Sequence, residues 1–138
     1  MRAFAVTLST VLLCASTSGQ RDIGIERIVP RKQIALVVGN GKYTHVGQLK
    51  NPVNDAEAMN HRLQEVGFDV MLLNNASRRM MGQKIEEFIG RLGTGDVGVF
   101  YYAGHGVQVD GDNYLVPSDF EGDTEADVRY DAHAVGRI

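Results

Sequence analysis

Cysteine is almost absent from the 138 residues. It occurs once, as Cys14, and one cysteine cannot build a disulfide framework or a cysteine-rich zinc site. A strong excess of charge is missing too. Fourteen Lys and Arg stand against seventeen Asp and Glu, a formal net charge of −3. That balance argues against a general nucleic-acid binder. No internal repeat and no low-complexity tract breaks the chain. With 43% hydrophobic and 22% charged residues, the composition is that of a globular domain, and it excludes a collagen, a disordered chain and a polytopic membrane protein. The length corresponds to one small domain.

The clearest hydrophobic run is at the amino end. Arg2 supplies a positive start, Ala3 to Ala15 is nearly uncharged, and Ala15, Ser16, Thr17, Ser18 and Gly19 are small. This pattern predicts a secretory signal over residues 1–20, cleaved between Ser16 and Arg21, and hence a secreted or periplasmic protein. The run is short for a bilayer span. An uncleaved anchor is the alternative, and it would be the chain's only membrane contact. A lipoprotein site at Cys14 is disfavoured, because Leu13 stands where that motif needs a small residue. Removal of the signal would leave a chain without cysteine. Residues 21–32 form a polar, basic lead-in, and the domain is expected over residues 33–138.

Within that domain, Ile34 to Val38 is a continuous apolar run ending at Gly39. Such runs mark strands buried on both faces of a parallel sheet. Val53, Ala56, Met59, Leu63 and Val66 follow at helical spacing. Asn51 is placed to cap that helix, Pro52 to open it and Gly67 to stop it. Phe68–Asn74 reads as a second strand. Residues 74–93 read as a second helix with Met81, Ile85, Phe88, Ile89 and Leu92 inward, and Val97–Ala103 as a third strand. Strand and helix alternate, which predicts an α/β fold with a mainly parallel sheet and helices packed on it. Asp110-Gly111 between alternating apolar residues is a hairpin signal. Asp119 to Asp131 is acidic and reads as loop, and the last residues read as the start of another helix.

Ligand sites in open α/β sheets lie beyond the carboxyl ends of the strands. Two segments occupy such ends. Gly39-Asn40-Gly41 looks like a dinucleotide loop but has Thr44 where the third glycine belongs, and no helix follows directly. A sharp strand exit explains its glycines better. In the second segment, Gly104-His105-Gly106, an imidazole follows a strongly apolar strand between two glycines. Imidazole is the side chain that titrates near neutrality, so this placement suits general acid–base work. Flanking glycines leave room for a substrate backbone and backbone N–H groups for a developing oxyanion. His45 and His61 read as solvated, His133 lies in the tail, Arg78 and Arg79 read as exposed, and Tyr101 and Tyr102 as strand packing. No spacing suggests a metal site.

ALVVGNGKY (35–43), LKNPVNDAEAM (49–59), VGF (66–68), VFYYAGHGVQ (99–108) and NYLVPSD (113–119) occur in order. In this combination the chain resembles the caspase-like cysteine peptidases, and among them the bacterial metacaspase-like group. The resemblance implies a three-layer caspase-like fold with helices on both faces of the sheet. It implies that His105 is the histidine of a Cys–His dyad and that Gly106 N–H helps form the oxyanion hole. It implies that Asp55 lines the primary specificity pocket and attracts Arg or Lys of a peptide or protein substrate. Read without the resemblance, Asp55 is a first-turn carboxylate favourable to the helix dipole. In the family the nucleophile follows a fourth strand in an Asp-x-Cys motif. No such segment occurs in these 138 residues, so the domain is expected to be incomplete on its carboxyl-terminal side and inactive alone. No cofactor is implied. Some metacaspases use calcium, but the acidic segment lacks an EF-hand pattern. The competing readings are a non-catalytic pseudo-peptidase that docks basic peptides and, more remotely, a nucleotide-binding α/β protein.

Overall fold

The computed structural model describes residues 31–138; the predicted signal and most of the lead-in lie outside them. Three strands form a parallel sheet in the order β2-β1-β3: β1 (Gln33–Gly39), β2 (Asp69–Asn74) and β3 (Val97–Ala103). Helix α1 (Pro52–Glu65) connects β1 to β2, and α2 (Arg78–Arg91) connects β2 to β3.

β1 is the centre of the sheet, and its sequence explains why. From Ile34 to Gly39 every residue is buried. Ile34, Leu36 and Val38 pack with Met81, Ile85 and Phe88 of α2, while Ala35 and Val37 pack with Ala56 of α1. Alternate residues of a strand point to opposite faces, so an uninterrupted apolar run gives the sheet a helix on each side. Each fully buried Ile, Leu or Val contributes roughly 1.5–3 kcal/mol. The α1 side uses small residues to bring the helix close. A Cβ on Gly39 would lie 2.5 Å from the Pro52 carbonyl oxygen and 2.6 Å from the Ala56 Cβ.

Helix ends follow the sequence signals with one exception. Pro52 opens α1, and Gly67, at φ +94°, closes it with its N–H on Gln64 O. Asn51 stands at the N-cap position but makes no side-chain capping bond; only its backbone carbonyl serves, accepting Asp55 N–H. Ser77 caps α2 by accepting Met80 N–H, and Asp119 accepts Arg78 N–H at 2.7 Å. Ile89, expected inward, is exposed. At 100° per residue, Met81, Ile85, Phe88 and Leu92 fall in one narrow stripe, whereas Ile89 lies about 80° from Met81. The sheet covers only the stripe.

Beyond β3 the chain forms a separate antiparallel sheet, β4 (Gly106–Val109), β5 (Asp112–Leu115) and β6 (His133–Ala134), in that order. Asp110 at φ 52° and Gly111 at φ 88° make the two-residue turn between β4 and β5, the left-handed pair a type I′ hairpin needs.

The acidic segment is not all loop. Helix α3 (Glu125–Asp131) forms there, with Val128 and Ala132 buried against Tyr43, Val116 and Phe120. Thr124 and Asp127 close a reciprocal capping box. The last residues add β6 and a short 3-10 turn, Val135–Arg137, rather than a new α-helix.

Asp127 gives this end of the fold a pH dependence. Its carboxyl is held below the usual range, first by the Thr124 hydroxyl and then by backbone N–H groups. A carboxyl depressed in the folded state adds stability above its unfolded pKa and loses it as pH falls through the folded value. Asp127→Ala should therefore lower the urea midpoint at pH 7, and the deficit should close as the pH falls below the ordinary carboxylate range. A deficit that stays constant down to acid pH would show that the carboxylate charge contributes nothing.

Candidate active site

The carboxyl ends of all three parallel strands meet at a single polar residue, Asn40, which is completely buried. Its N–H donates to Ala103 O at the end of β3 (2.8 Å). Its Oδ1 accepts Ala76 N–H (2.8 Å), after β2. Its Nδ2 lies 3.3 Å from Val116 O and 3.4 Å from Ala76 O. Asn75 completes the join: its N–H donates to Gly39 O, and its Oδ1 accepts Gly41 N–H (3.0 Å) and Lys42 N–H (2.8 Å). The backbone donors that a phosphate-binding loop would present are thus occupied by an asparagine side chain. Gly41 is also confined, because a Cβ there would sit 2.7 Å from Leu49 O. Both facts support the strand-exit reading of these glycines over nucleotide binding.

His105 sits just past β3, half-buried. Its backbone N–H donates to the Tyr43 hydroxyl at 2.8 Å. Its carbonyl accepts Val116 N–H at 3.0 Å and faces the Tyr102 hydroxyl at 2.9 Å. The imidazole lies on the Tyr43 ring with centroids 4.7 Å apart and planes tilted by 54°. Its Nε2 is 2.6 Å from Gly47 O. A carbonyl oxygen only accepts, so Nε2 carries the proton and donates it. In the neutral ring Nδ1 then keeps its lone pair. Among the described residues Nδ1 takes no hydrogen bond.

The register of the hairpin determines where Gly106 N–H points. Gly106 is opposite Leu115, while Val116 N–H donates to His105 O. In an antiparallel ladder this makes Gly106 and Leu115 a non-hydrogen-bonded pair. Gly106 N–H is therefore directed away from β5, next in sequence to the imidazole.

Gly104 has a different role from the one its sequence suggests. A Cβ there would lie 2.5 Å from the Tyr102 hydroxyl and 2.7 Å from the Tyr43 hydroxyl. The space is filled by protein and is closed to a substrate backbone.

Asp55 lies in the first turn of α1, exposed, with its N–H on Asn51 O. It forms no ion pair among the described residues. Burial first, and the Asp55 charge second, push the Tyr101 phenol on β3 up. Tyr101 packs on the α1 side of the sheet, and Tyr102 on the other side does more than pack, as its hydrogen bonds show.

The remaining histidines are apart from this cluster. His45 is exposed beside Thr44 and Glu121, His61 is exposed on α1, and His133 Nε2 bonds Arg78 O. Arg78 and Arg79 are exposed. Among the described residues no three His, Cys, Asp or Glu side chains are grouped closely enough to hold a metal ion, and no helix is long and apolar enough to cross a membrane.

The arrangement is an oriented imidazole and, among the described residues, an unpaired backbone donor at the carboxyl edge of a parallel α/β sheet. A family model described as the caspase domain matches residues 32–132, and the chain belongs to that family. It is 33% identical over 89 residues to the human mucosa-associated lymphoid tissue lymphoma translocation protein 1. The mouse homolog matches to the same extent. These matches cover 64% of this chain but 11% of each relative, so the chain spans about a tenth of their length.

Proposed function

We infer that this domain is the histidine-bearing part of a cysteine-type endopeptidase of the metacaspase-like kind. The observation that carries the reading is the Nε2–H of His105 on Gly47 O, which leaves Nδ1 without a hydrogen bond among the described residues, next in sequence to the Gly106 N–H that points away from β5. A thiol placed at Nδ1 would give up its proton there and attack a peptide carbonyl as thiolate. The resulting oxyanion would meet Gly106 N–H, and the imidazolium would return the proton to the leaving amine. Residues 31–138 contain no cysteine, so this reading requires a thiol from outside them, and the tests below use the protein at its full natural length.

Asp55 is proposed as the acid that selects Arg or Lys at the cleavage position. Its support is an exposed carboxylate that has no ion-pair partner among the described residues and whose charge acts on Tyr101 of β3. In the full-length protein, a fluorogenic panel with Arg, Lys, Asp and norleucine at the cleavage position tests both parts. Arg and Lys should be cleaved, and Asp left intact. Asp55→Ala should reduce the Arg-over-norleucine ratio about ten- to a hundredfold, since a hydrogen bond to a charged group is worth roughly 1.5–3 kcal/mol. Cleavage after Asp, or an unchanged Arg preference in the variant, would overturn the pocket role. A full-length protein that binds basic peptides but cleaves none would favour the pseudo-peptidase reading.

A further inference from the structure

We propose that Tyr43 and Tyr102 form a one-way hydroxyl relay that positions His105, with Tyr43 as the member that sets the imidazole. The role rests on the peptidase reading of His105, but its geometry stands apart from that reading.

Proton counting fixes the direction of the relay. The Tyr102 hydroxyl has one proton and faces two carbonyl oxygens, Val116 O at 2.8 Å and His105 O at 2.9 Å. Carbonyls only accept, so Tyr102 donates to them and is left as an acceptor on its other side. The Tyr43 hydroxyl stands there, 3.4 Å away, and must be the donor of that pair. It in turn accepts His105 N–H at 2.8 Å. The chain therefore runs from His105 N–H to Tyr43, from Tyr43 to Tyr102, and from Tyr102 to the two carbonyls. Both rings are buried. Burial pushes both phenols up from their ordinary range, so neither hydroxyl loses the proton that the relay needs.

Tyr43 acts on His105 at two points. Its hydroxyl holds the backbone and its ring supports the imidazole. It also belongs to the 40–51 loop that carries Gly47, whose carbonyl holds Nε2. Anchorage of that loop comes from Thr44 N–H on Ser118 O and Leu49 N–H on Gly41 O. One residue thus ties the imidazole to the loop that sets its tautomer. Tyr102 touches only the backbone of His105. Gly104 is the residue that makes the relay fit, since any Cβ there would strike both hydroxyls.

Tyr43→Phe keeps the ring and removes the acceptor of His105 N–H. Tyr102→Phe leaves both carbonyls partnered, His105 O by Val116 N–H and Val116 O by Asn40 Nδ2. The first variant should therefore disturb His105 more than the second. Nitrogen-15 spectra of the imidazole in the full-length protein read this without any turnover. The wild type should show a protonated Nε2 and an unprotonated Nδ1 for His105 in its neutral form. Tyr43→Phe should move both resonances toward the averaged position of a free imidazole, and Tyr102→Phe should move them less. In the assay, Tyr43→Phe should lower kcat about ten- to a hundredfold with KM unchanged, the size of effect expected when a reacting group is slightly misplaced. Should Tyr43→Phe fail to fold, fluorotyrosine at position 43 keeps the shape and weakens the acceptor. It should shift the His105 amide proton upfield. Wild-type imidazole resonances in a folded Tyr43→Phe protein, or an unmoved His105 amide with fluorotyrosine, would overturn the relay. Shifted resonances in a full-length protein that cleaves nothing would uphold the relay and reject the peptidase reading.

Discussion

His105→Ala in the full-length protein should reduce kcat for an Arg peptide by about 10²–10⁴-fold, the range that a positioned general acid–base contributes. The loss has two parts. The thiol loses the acceptor that would take its proton, and the leaving amine loses the group that would return it. Neither part involves the pocket, so KM should change little. The substitution should also cost little stability. The side chain is half-buried and its one hydrogen bond runs to Gly47 O in an exposed loop, whereas the backbone bonds to Tyr43, Tyr102 and Val116 survive in alanine. A folded variant with wild-type turnover would remove His105 from the reaction.

Asn40→Ala should be the most destabilising of the substitutions considered, by about 3–5 kcal/mol. Ala76 N–H loses its only acceptor among the described residues, and an orphaned buried donor costs roughly 1–3 kcal/mol. Val116 O keeps Tyr102, but a polar cavity opens between β1, the β2–α2 turn and the segment after β5, which adds the cost of lost packing. Total stabilities of about 5–15 kcal/mol are usual for domains, so the urea midpoint should fall steeply. His105 should be affected as well, because Val116 is held by Asn40 on one side and holds His105 O on the other. An unchanged midpoint would show that the three strand ends are fastened by something else.

Asn40 also shows where the sequence stops being legible. The central strand, α1 and the β4–β5 hairpin could be read because each has a local signal: an unbroken apolar run, a 3.6-residue spacing behind Pro52, and Asp110-Gly111. The partners of Asn40 lie 36 to 76 positions away, and no periodicity reports them. The same holds for Tyr43, 62 positions before His105. Gly47 contributes a backbone carbonyl, which every residue type carries, so composition cannot single it out. Tyr102 looked like strand packing because its neighbours on β3 are apolar, and its hydroxyl bonds appear only once the segment after β5 lies against it. Gly104 looked like space for a substrate because glycine at a strand exit has that meaning as often as close packing. Helix α3 is the opposite case. Thr124 and Asp127 spell out a capping box ahead of Val128, a local signal that the density of acidic residues around it masks.

The five sequence segments that carry the family resemblance are scattered along the chain, yet three of them meet around His105 and another packs against the end of β1. Asn40 and Tyr43 come from the first, Tyr102 and His105 from the fourth, and Val116 and Ser118 from the fifth, while the second brings the amino end of α1 against Gly39. Residues far apart in sequence thus share one purpose, the placement of a single imidazole.

The most direct test of that purpose is labelling of the full-length protein with an arginyl acyloxymethyl ketone, read by mass spectrometry. Thioether formation needs a thiolate beside His105 and a pocket that accepts a basic residue. The account predicts one adduct, on a cysteine outside residues 31–138, absent in His105→Ala and slowed in Asp55→Ala. A folded full-length protein that forms no adduct, or an adduct that forms as fast without His105, would contradict it.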